Sequence, residues 1–407
     1  MKKIYLMVFT LLLTTLVACS PDDKVTIEFW HNYSAGDGQV QVLNTLIEEF
    51  EAANPNIKVE AVFQEWSALR DGVVLGAGTG VLPDVLRGDI AFVPQFHSLD
   101  VLVKMSDFED YSEVAKTILA QPNSTALING SYYGIAANTN TKILFYNEDL
   151  LAAKNVEVPT NLEALYEAAL AVSTTDVVGM VEPWTGIWNF GPMIWSEGGD
   201  ILAPDNSTAS GYLNSDIVVD VITKMKQLYD AKALTGSSMN PSVLGDTDGW
   251  AAGKYAFQLD GPWRGTSNDA AGINYGAIPL PAGKEGSISV LGGEDFMILD
   301  KKDTEKREAA WKFVKFMISE EAQVKMAKKG QMPVNISALD NQEVLEVMPL
   351  LPVFKEALQT AKSRPVISQW SEIENIIAAA FSEAIIGAKP VKQALDAAVV
   401  QIDALLK

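Results

Sequence analysis

The residues best suited to bind a ligand in this sequence are tryptophans that lie outside regular helix or strand patterns. Trp184 and Trp188 occur in the segment MVEPWTGIWNFGP, Trp263 in DGPWRG, Trp66 directly after a predicted strand, and Trp370 in a polar loop before a predicted helix. An indole ring has a large flat apolar face and one N–H donor, which suits the C–H face and the hydroxyl groups of a sugar ring. Each of these tryptophans alone could equally be a partly buried packing residue, but we expect at least two of them to line a binding cleft.

Planar amides and carboxylates would bind the hydroxyl groups of such a ligand, and the candidates follow the ends of predicted strands. They are His31, Asn32, Glu65, Asp89, Asn138, Glu294 and Asp295. Any one of them could instead belong to a solvated loop. Gly292 and Gly293 could let the backbone approach a ligand closely, or could form a tight turn at a strand end.

Arg264 is the basic side chain nearest to a candidate tryptophan in the sequence. It could bind a carboxylate or phosphate, but it could also pair with Asp260 or stack on the ring of Trp263. The sequence shows no cluster of Arg or Lys that would compensate a multiply charged anion. We therefore expect a neutral ligand.

The motifs of common catalytic and metal sites are missing from the sequence. It contains no GxSxG or HExxH pattern and only two histidines, His31 and His97. A glycosidase would need two carboxylates that face each other across a sugar, and no spacing singles out such a pair. The sequence therefore predicts a binding protein and not an enzyme, without a metal or another cofactor.

The elements that must position these residues alternate between strands and helices. Val25–Trp30, Ile57–Phe63 and Asp84–Leu86 are predicted strands, and segments with helical spacing separate them. This alternation predicts an α/β fold with a parallel sheet, whose ligands lie beyond the carboxyl ends of the strands. Further helices are predicted over residues 215–232, 305–318, 371–387 and 391–406.

Length and charge limit the function further. The chain has 407 residues, which fits two globular domains, and a formal net charge of −21. So acidic a surface repels nucleic acid, which is therefore excluded as a partner. Cys19 is the only cysteine, so the fold is predicted to form without disulfides.

The N-terminus has the pattern of an export signal. Lys2 and Lys3 precede the apolar segment Ile4–Leu16, which is too short for a stable membrane span. The following residues, LVAC, resemble the bacterial lipobox, in which cleavage leaves a lipidated cysteine. We expect residues 1–18 to be a signal peptide and Cys19 to anchor an extracytoplasmic protein to the cell membrane. The alternative is an ordinary signal peptide with an accidental cysteine at its end.

Several segments stand out along the chain, in the order FWH with LIEEFEAANPNIKVE, LPDVLRGD with LVKMSDFED, YYGIAANTNTKILFYNEDLL, GWAAGKYAFQLDGPWRG, AAWKFVKFMISEEAQ and GQMPVN. In this order they resemble the extracellular solute-binding proteins of ABC importers, family 1, in the branch that includes maltose- and oligosaccharide-binding lipoproteins. The main departure is Asn138, which stands where that family often has a proline.

The resemblance implies a two-lobed, periplasmic-binding-protein-like fold of type II, in which interleaved lobes close on a central cleft about a hinge. Lobe 1 would comprise residues 24–135 plus 286–334, and lobe 2 residues 136–285 plus 335–407. The implied function is that of a monomeric binding subunit that delivers a sugar or short oligosaccharide to ABC permease subunits. A polyol or glycerol phosphate as ligand, and a role in chemoreception or adhesion, remain alternatives.

Overall fold

The computed structural model describes residues 24–36 and 38–407. The predicted signal peptide and Cys19 lie outside this range. No helix within the described range is long and apolar enough to cross a membrane.

Strands are distributed along the whole described chain. They are β1 (Val25–His31), β2 (Ile57–Phe63), β3 (Val85–Asp89), β4 (Leu127–Ile128), β5 (Ser131–Tyr132), β6 (Ile135–Thr141), β7 (Ile143–Asn147), β8 (Val178–Val181), β9 (Leu234–Thr235), β10 (Tyr255–Asp260), β11 (Tyr275–Ile278) and β12 (Leu291–Ile298).

Helices connect most of the strands and form the C-terminal part of the chain. They are α1 (Gln39–Ala53), α2 (Trp66–Thr79), α3 (Val93–Ser98), α4 (Tyr111–Ala115), α5 (Ala120–Asn123), α6 (Glu148–Lys154), α7 (Leu162–Val172), α8 (Ile187–Ser196), α9 (Asp216–Asp230), α10 (Asp246–Ala251), α11 (Trp263–Ala271), α12 (Thr304–Met317), α13 (Glu320–Ala327), α14 (Ile336–Leu339), α15 (Gln342–Val347), α16 (Leu351–Leu358), α17 (Trp370–Ile385) and α18 (Val391–Leu405). Short 3-10 turns cover Ile90–Phe92, Met105–Asp107 and Ser124–Ala126.

The first sheet has the strand order β2-β1-β3-β12-β6. β1 pairs in parallel with β2 and β3, whereas β12 is antiparallel to β3 and β6. α1 lies between β1 and β2 in the chain. It packs on the sheet because Leu43, Leu46, Ile47 and Phe50 form one buried face. The predicted β-α-β-α-β start of the chain is thus confirmed. We call this sheet with its helices the first lobe.

The second sheet has the order β11-β7-β10-β8-β9. β8 lies in parallel between β9 and β10, while β7 is antiparallel to β10 and β11. α9, α17 and α18 pack together beside this sheet, and their bounds agree with the predicted helices. We call this sheet with its helices, which include α8 and α11, the second lobe.

The structure moves the first crossing between the lobes. Residues 136–141 were expected in lobe 2, but β6 pairs with β12 in the first sheet from Ile135 to Thr141. The chain therefore crosses between Thr141 and Ile143. The pattern YYGIAANTN indicates a strand but not which sheet it joins, which explains the misplaced boundary. The return crossing lies between β11 and β12.

Two crossings are bound to each other at the hinge. The Ser289 hydroxyl donates to the carbonyl of Lys142 at 2.7 Å and accepts from its N–H at 3.2 Å. Lys362 adds a third strand segment, because it bonds through its backbone to Ser289 and Leu291. A mixed core with Phe145 and Leu291 among its members lies at this junction, so the lobes share apolar packing at the hinge.

Candidate functional site

An arginine in β3 organises the polar end of the first lobe. Arg87 is buried, and it donates from Nη1 to Oδ1 of Asn32 and from Nη2 to Oδ1 of Asn138 at 2.7 Å. The same Nη2 lies 2.9 Å from Oε1 of Gln331 and 2.9 Å from Oε2 of Glu294. Sequence reasoning missed Arg87, although its position as a charged residue inside the apolar strand run VLRGD was a usable signal.

Three of the predicted polar residues therefore meet at one place. Nδ2 of Asn138 donates to Oε2 of Glu294 at 2.7 Å, which joins the two residues directly as well as through Arg87. The guanidinium also lies 4.2 Å from the ring centroid of Tyr33, whose phenol pKa burial raises to about 12. The cluster carries one cation and one carboxylate, so its charges balance.

His31 is buried at the end of β1, and its contacts are with the protein itself. Its Nδ1 accepts the N–H of Tyr33 at 3.2 Å, and the rings of Phe29 and Phe63 pack beside it. Burial, together with the positive charge of Arg87, lowers the pKa of His31 to about 4. At neutral pH it is an uncharged residue that shapes the loop after β1.

Asp89 and Glu65 take different positions from the Arg87 cluster. Oδ1 of Asp89 accepts the N–H of Ala91 at 2.7 Å and a bond from Nη2 of Arg364 at 2.6 Å. These two bonds hold Asp89 in a turn and in an ion pair with Arg364 where the two lobes meet. Glu65 lies exposed directly before α2 and makes no side-chain cap bond with that helix.

The second lobe contributes a buried ion pair beside the hinge. Nζ of Lys142 lies 3.1 Å from Oε2 of Glu182, which also accepts from Nδ2 of Asn189 at 2.5 Å. Oε1 of Glu182 accepts the N–H of Leu259 at 3.0 Å. Burial raises the pKa of Glu182, and the charge of Lys142 opposes that shift. The ammonium of Lys142 and both carboxylate oxygens of Glu182 thus have partners within the protein.

The structure resolves the alternatives for Arg264 in favour of an internal ion pair. Its Nε lies 3.0 Å from Oδ2 of Asp260, and its Nη2 bonds to Asp246. Arg264 is 1% exposed. The guanidinium is therefore held inside the second lobe, where a phosphate or carboxylate of a ligand would have to displace two partners.

Four of the five candidate tryptophans have surface available for contact. The rings of Trp188 and Trp263 are near parallel, with centroids 6.4 Å apart and an interplanar angle of 25°. Trp188 is half-buried, whereas Trp263 and Trp184 are 40% and 61% exposed. Trp66, on the first lobe, is also exposed and packs one side on Phe92 at 5.0 Å. The two lobes thus each present indole surface.

Trp370 does not belong with this group. It is the first residue of α17, is 2% exposed and packs in the hydrophobic core of the second lobe. The polar flanks SQWSE suggested a loop, but the residue begins the apolar face that also contains Ile373 and Ile377. The expectation that Trp370 contacts a ligand is corrected on this ground.

The two glycines of β12 serve the protein's own packing. Gly293 has φ 136°, adjoins a β-bulge, and a Cβ there would overlap the carbonyl oxygen of Asn138. Gly292 lies under the ring of Trp188, where a Cβ would be 2.6 Å from Cζ3. Gly293 thus allows β12 to pair closely with β6, and Gly292 leaves room for the indole of Trp188. No group of acidic, histidine or cysteine side chains in the described range could hold a metal ion.

Comparisons with known proteins place this geometry in a family. A model described as bacterial extracellular solute-binding protein matches residues 45–363. The maltooligosaccharide ABC transporter solute-binding lipoprotein of Streptococcus pneumoniae is 26% identical over 83% of this chain and 79% of its own length.

Solved structures share the fold over nearly the whole chain. The GacH receptor of Streptomyces glaucescens, solved unliganded and with acarbose, has a TM-score of 0.81 and 25% identity over 94% of this chain and 98% of that one. UgpB from Mycobacterium tuberculosis, solved with glycerophosphocholine, has the same TM-score and 18% identity over 94% of this chain and 98% of that chain.

These findings confirm the predicted two-lobed α/β fold, the resemblance and the class of binding protein as opposed to enzyme. They also agree with an extracytoplasmic location. The chain belongs to the family of bacterial extracellular solute-binding proteins.

Proposed function

We propose that this protein is the binding subunit of an ABC importer and captures a neutral sugar or short oligosaccharide between its lobes. The observation that best supports a neutral ligand is that the charges of the site already balance. Arg87, Lys142, Arg264 and Arg364 are each held in an ion pair with a carboxylate of the same chain. None of these four cations is left to neutralise an anionic ligand, whereas indole faces and the half-buried amide of Asn32 are available.

The aromatic surfaces support a sugar as the neutral ligand. Trp188 and Trp263 form adjacent near-parallel faces on the second lobe, and Trp66 offers a face on the first. Such faces bind the C–H side of a pyranose, and a ligand held from both sides favours the closed arrangement of the lobes. Names of relatives point the same way, because the pneumococcal lipoprotein is described as binding maltooligosaccharide.

The proposed binding residues follow from this geometry. Asn32 and Glu294 would present the polar edge of the Arg87 cluster, with Glu65 and Trp66 at the rim of the first lobe. Asn138 would hold Arg87 and Glu294 in place from inside the cluster. Trp184, Trp188 and Trp263 would form the aromatic side. His31, Asp89 and Gly293 would act indirectly, since their contacts are internal.

The proposed cycle is reversible capture without covalent chemistry. Ligand binds between the lobes, the hinge segments around Lys142 and Ser289 allow closure, and the closed form docks on the permease subunits. Closure is a population shift, so the ligand must bind the closed form more tightly than the open one. We further propose that the protein acts as a monomer and is anchored to the membrane through a lipid on Cys19.

A ligand screen with matched pairs tests the proposal. The chain from Ser20 onward is screened by thermal shift against mono- and oligosaccharides, polyols and amino acids, including glycerol with glycerol 3-phosphate and glucose with glucose 6-phosphate. A ligand at about 100 times its dissociation constant adds roughly 2.7 kcal/mol, a shift of a few degrees. We expect the shift with a neutral glycan. A shift only with the phosphorylated member of a pair would overturn the neutral-ligand proposal.

A second experiment separates import from sensing or adhesion. Deletion of the gene should abolish uptake of the radiolabelled glycan identified in the screen, and a plasmid copy should restore it. Normal uptake combined with lost chemotaxis or surface attachment would assign the binding protein to one of the other roles.

A further inference from the structure

Glu182 directly follows β8 and is buried inside the second lobe. The parallel pairing of β8 with β10 brings it opposite Leu259. Its Oε1 accepts the N–H of Leu259 at 3.0 Å. Its Oε2 accepts from Nδ2 of Asn189 at 2.5 Å and from Nζ of Lys142 at 3.1 Å. One carboxylate thus joins the end of β10, the first turn of α8 and the first crossing between the lobes.

Two of these three segments carry tryptophans that face each other. Asn189 lies in α8 next to Trp188, and Leu259 lies in β10 shortly before Trp263, the first residue of α11. The ring of Trp263 folds back on Gly261, where a Cβ would be 2.3 Å from Cη2. The two indoles are near parallel, with centroids 6.4 Å apart. Their relative placement therefore depends on how α8 and the end of β10 are held together.

The ion pair with Lys142 allows a carboxylate to be used for this purpose. The side chains of Lys142 and Glu182 are 1% and 0% exposed, and a carboxylate at this depth would be strongly unfavourable without its cation. Well-packed apolar side chains often replace such a pair without loss of stability. They would, however, offer no acceptor to Leu259 or to Asn189. The pair is thus suited to fixing the geometry of two segments.

We propose that Glu182 is a positioning residue that holds Trp188 and Trp263 in their near-parallel arrangement. It acts through Asn189 on the one side and through Leu259 on the other. Its consequence for ligand affinity rests on the proposed function, since it assumes that the two indoles contact a sugar. Its consequence for the indoles themselves does not depend on any ligand.

A matched pair of double variants isolates this role. Both contain Lys142→Met, so that neither leaves a buried ammonium without its carboxylate. With Glu182→Gln, the new amide can accept the N–H of Leu259 and, once the amide of Asn189 is turned over, donate to its Oδ1, which is buried without a hydrogen-bond partner. With Glu182→Leu, both bonds are lost. The two proteins therefore differ in whether this position holds the two segments.

The first measurement is made without ligand, by ¹⁹F NMR of the proteins labelled with 5-fluorotryptophan. The resonances of Trp188 and Trp263 are assigned from the spectra of Trp188→Phe and Trp263→Phe. We expect both resonances to shift or broaden in the double variant with Glu182→Leu, relative to the one with Glu182→Gln. The resonance of Trp311, which is buried in the first lobe and donates from Nε1 to Asp110, should stay in place.

Two further variants complete the measurement. Lys224→Met/Glu163→Leu is the matched control, because it removes another Lys–Glu pair of the second lobe, one that is exposed between α9 and α7. It should leave both resonances unchanged. Asn189→Leu keeps the buried ion pair and cuts only its bond to α8. It should therefore move the resonance of Trp188 more than that of Trp263.

The second measurement is calorimetry with maltotriose, or with the glycan identified in the screen. The double variant with Glu182→Leu should bind about tenfold more weakly than the one with Glu182→Gln, by analogy with residues that orient the ligands of a metal. The control Lys224→Met/Glu163→Leu should bind like the wild type. Equal affinities of the two Lys142→Met proteins, together with moved resonances, would overturn the consequence for the ligand.

The remaining outcomes separate the positioning role from the proposed function. Unmoved resonances of Trp188 and Trp263 in the folded double variant with Glu182→Leu would overturn the positioning role, and so would a Trp311 resonance that moves with them. If that variant does not fold, Asn189→Leu decides, since an unmoved Trp188 resonance would overturn the role as well. Moved resonances in a protein whose wild type binds no glycan would support the positioning role and refute the sugar-binding proposal instead.

Discussion

At the scale of single residues, ion pairing decides which side chains remain available to a ligand. Arg87 and Arg264 are both buried, and their carboxylate partners lie within the same lobe. A guanidinium that already has such partners gains little from a new anion, because the existing bonds must be broken first. In contrast, a ligand that contacts the exposed part of the Trp263 indole would not have to break an ion pair.

Trp263→Ala should weaken glycan binding by roughly 1–3 kcal/mol, because the stacking area of the indole is lost. Trp263→Phe keeps part of this area and should lose less. Calorimetry of the three proteins measures the effect. Since Trp263 is 40% exposed, the thermal midpoint without ligand should change little. Unchanged affinity in Trp263→Ala would remove this residue from the site.

Arg87→Met should destabilise the protein by about 3–5 kcal/mol, because Glu294 and the amide of Asn138 lose their buried partner. Urea unfolding measures this loss. Lys116→Met is the control, since its pair with Glu113 is exposed and should contribute less than about 1 kcal/mol. The double variant Arg87→Met/Glu294→Gln should regain part of the stability. If Arg87→Met were as stable as the control, the Arg87 cluster would not be the organising feature described above.

His31 should make the folded state less stable in acid. Its pKa falls from 6.5 to about 4 on folding, so the unfolded chain binds the proton first as the pH drops. The stability tied to His31 is complete above pH 6.5 and is lost towards pH 4, by up to about 3 kcal/mol. His31→Asn keeps an acceptor for the N–H of Tyr33 but cannot titrate. Urea unfolding at several pH values should give a shallower loss for this variant, and identical slopes would contradict the prediction.

At the scale of elements, the hydrophobic periodicity of the sequence predicts where helices and strands begin and end. It does not predict strand pairings or side-chain contacts between residues that are distant in the chain. β2 has the predicted bounds, and α9, α12, α17 and α18 differ from prediction by at most two residues at either end. The sheet that β6 joins could not be predicted, because β12 follows it by about 150 residues. For the same reason Arg87 went unnoticed: its partners Asn32, Asn138, Gln331 and Glu294 come from separate segments.

Gly293→Ala should destabilise β12 by roughly 1–3 kcal/mol, because the residue has φ 136° and a Cβ would overlap the carbonyl of Asn138. Gly78→Ala is a matched change with the opposite expected sign. Gly78 lies inside α2 with open space around it, so alanine should stabilise the helix by about 1 kcal/mol. Thermal unfolding of both variants checks the pair. A stable Gly293→Ala protein would show that the bulge in β12 can be rebuilt without glycine.

At the scale of the whole molecule, two lobes with separate cores meet at a hinge that carries its own apolar packing. This arrangement lets the lobes move as units while the crossings at Lys142, Ser289 and Lys362 stay bonded to one another. A net charge of −21 keeps such a protein away from anionic headgroups. If the protein is retained at a membrane, we expect an attachment to hold it there, which the lipobox-like LVAC would supply.

Cys19→Ser should release the protein from the membrane without changing its fold. Cys19 lies at the end of the predicted export signal and is the sole cysteine of the chain. It is therefore the only residue that could carry a thioether-linked lipid. Fractionation of cells that produce the wild-type chain should place it with membranes, extractable by detergent, whereas the variant should appear in the soluble extracytoplasmic fraction. Both proteins should give the same thermal shift with the glycan, since Cys19→Ser changes none of the proposed binding residues. A wild-type chain found in the soluble fraction would show that residues 1–18 act as an ordinary signal peptide and that Cys19 carries no lipid.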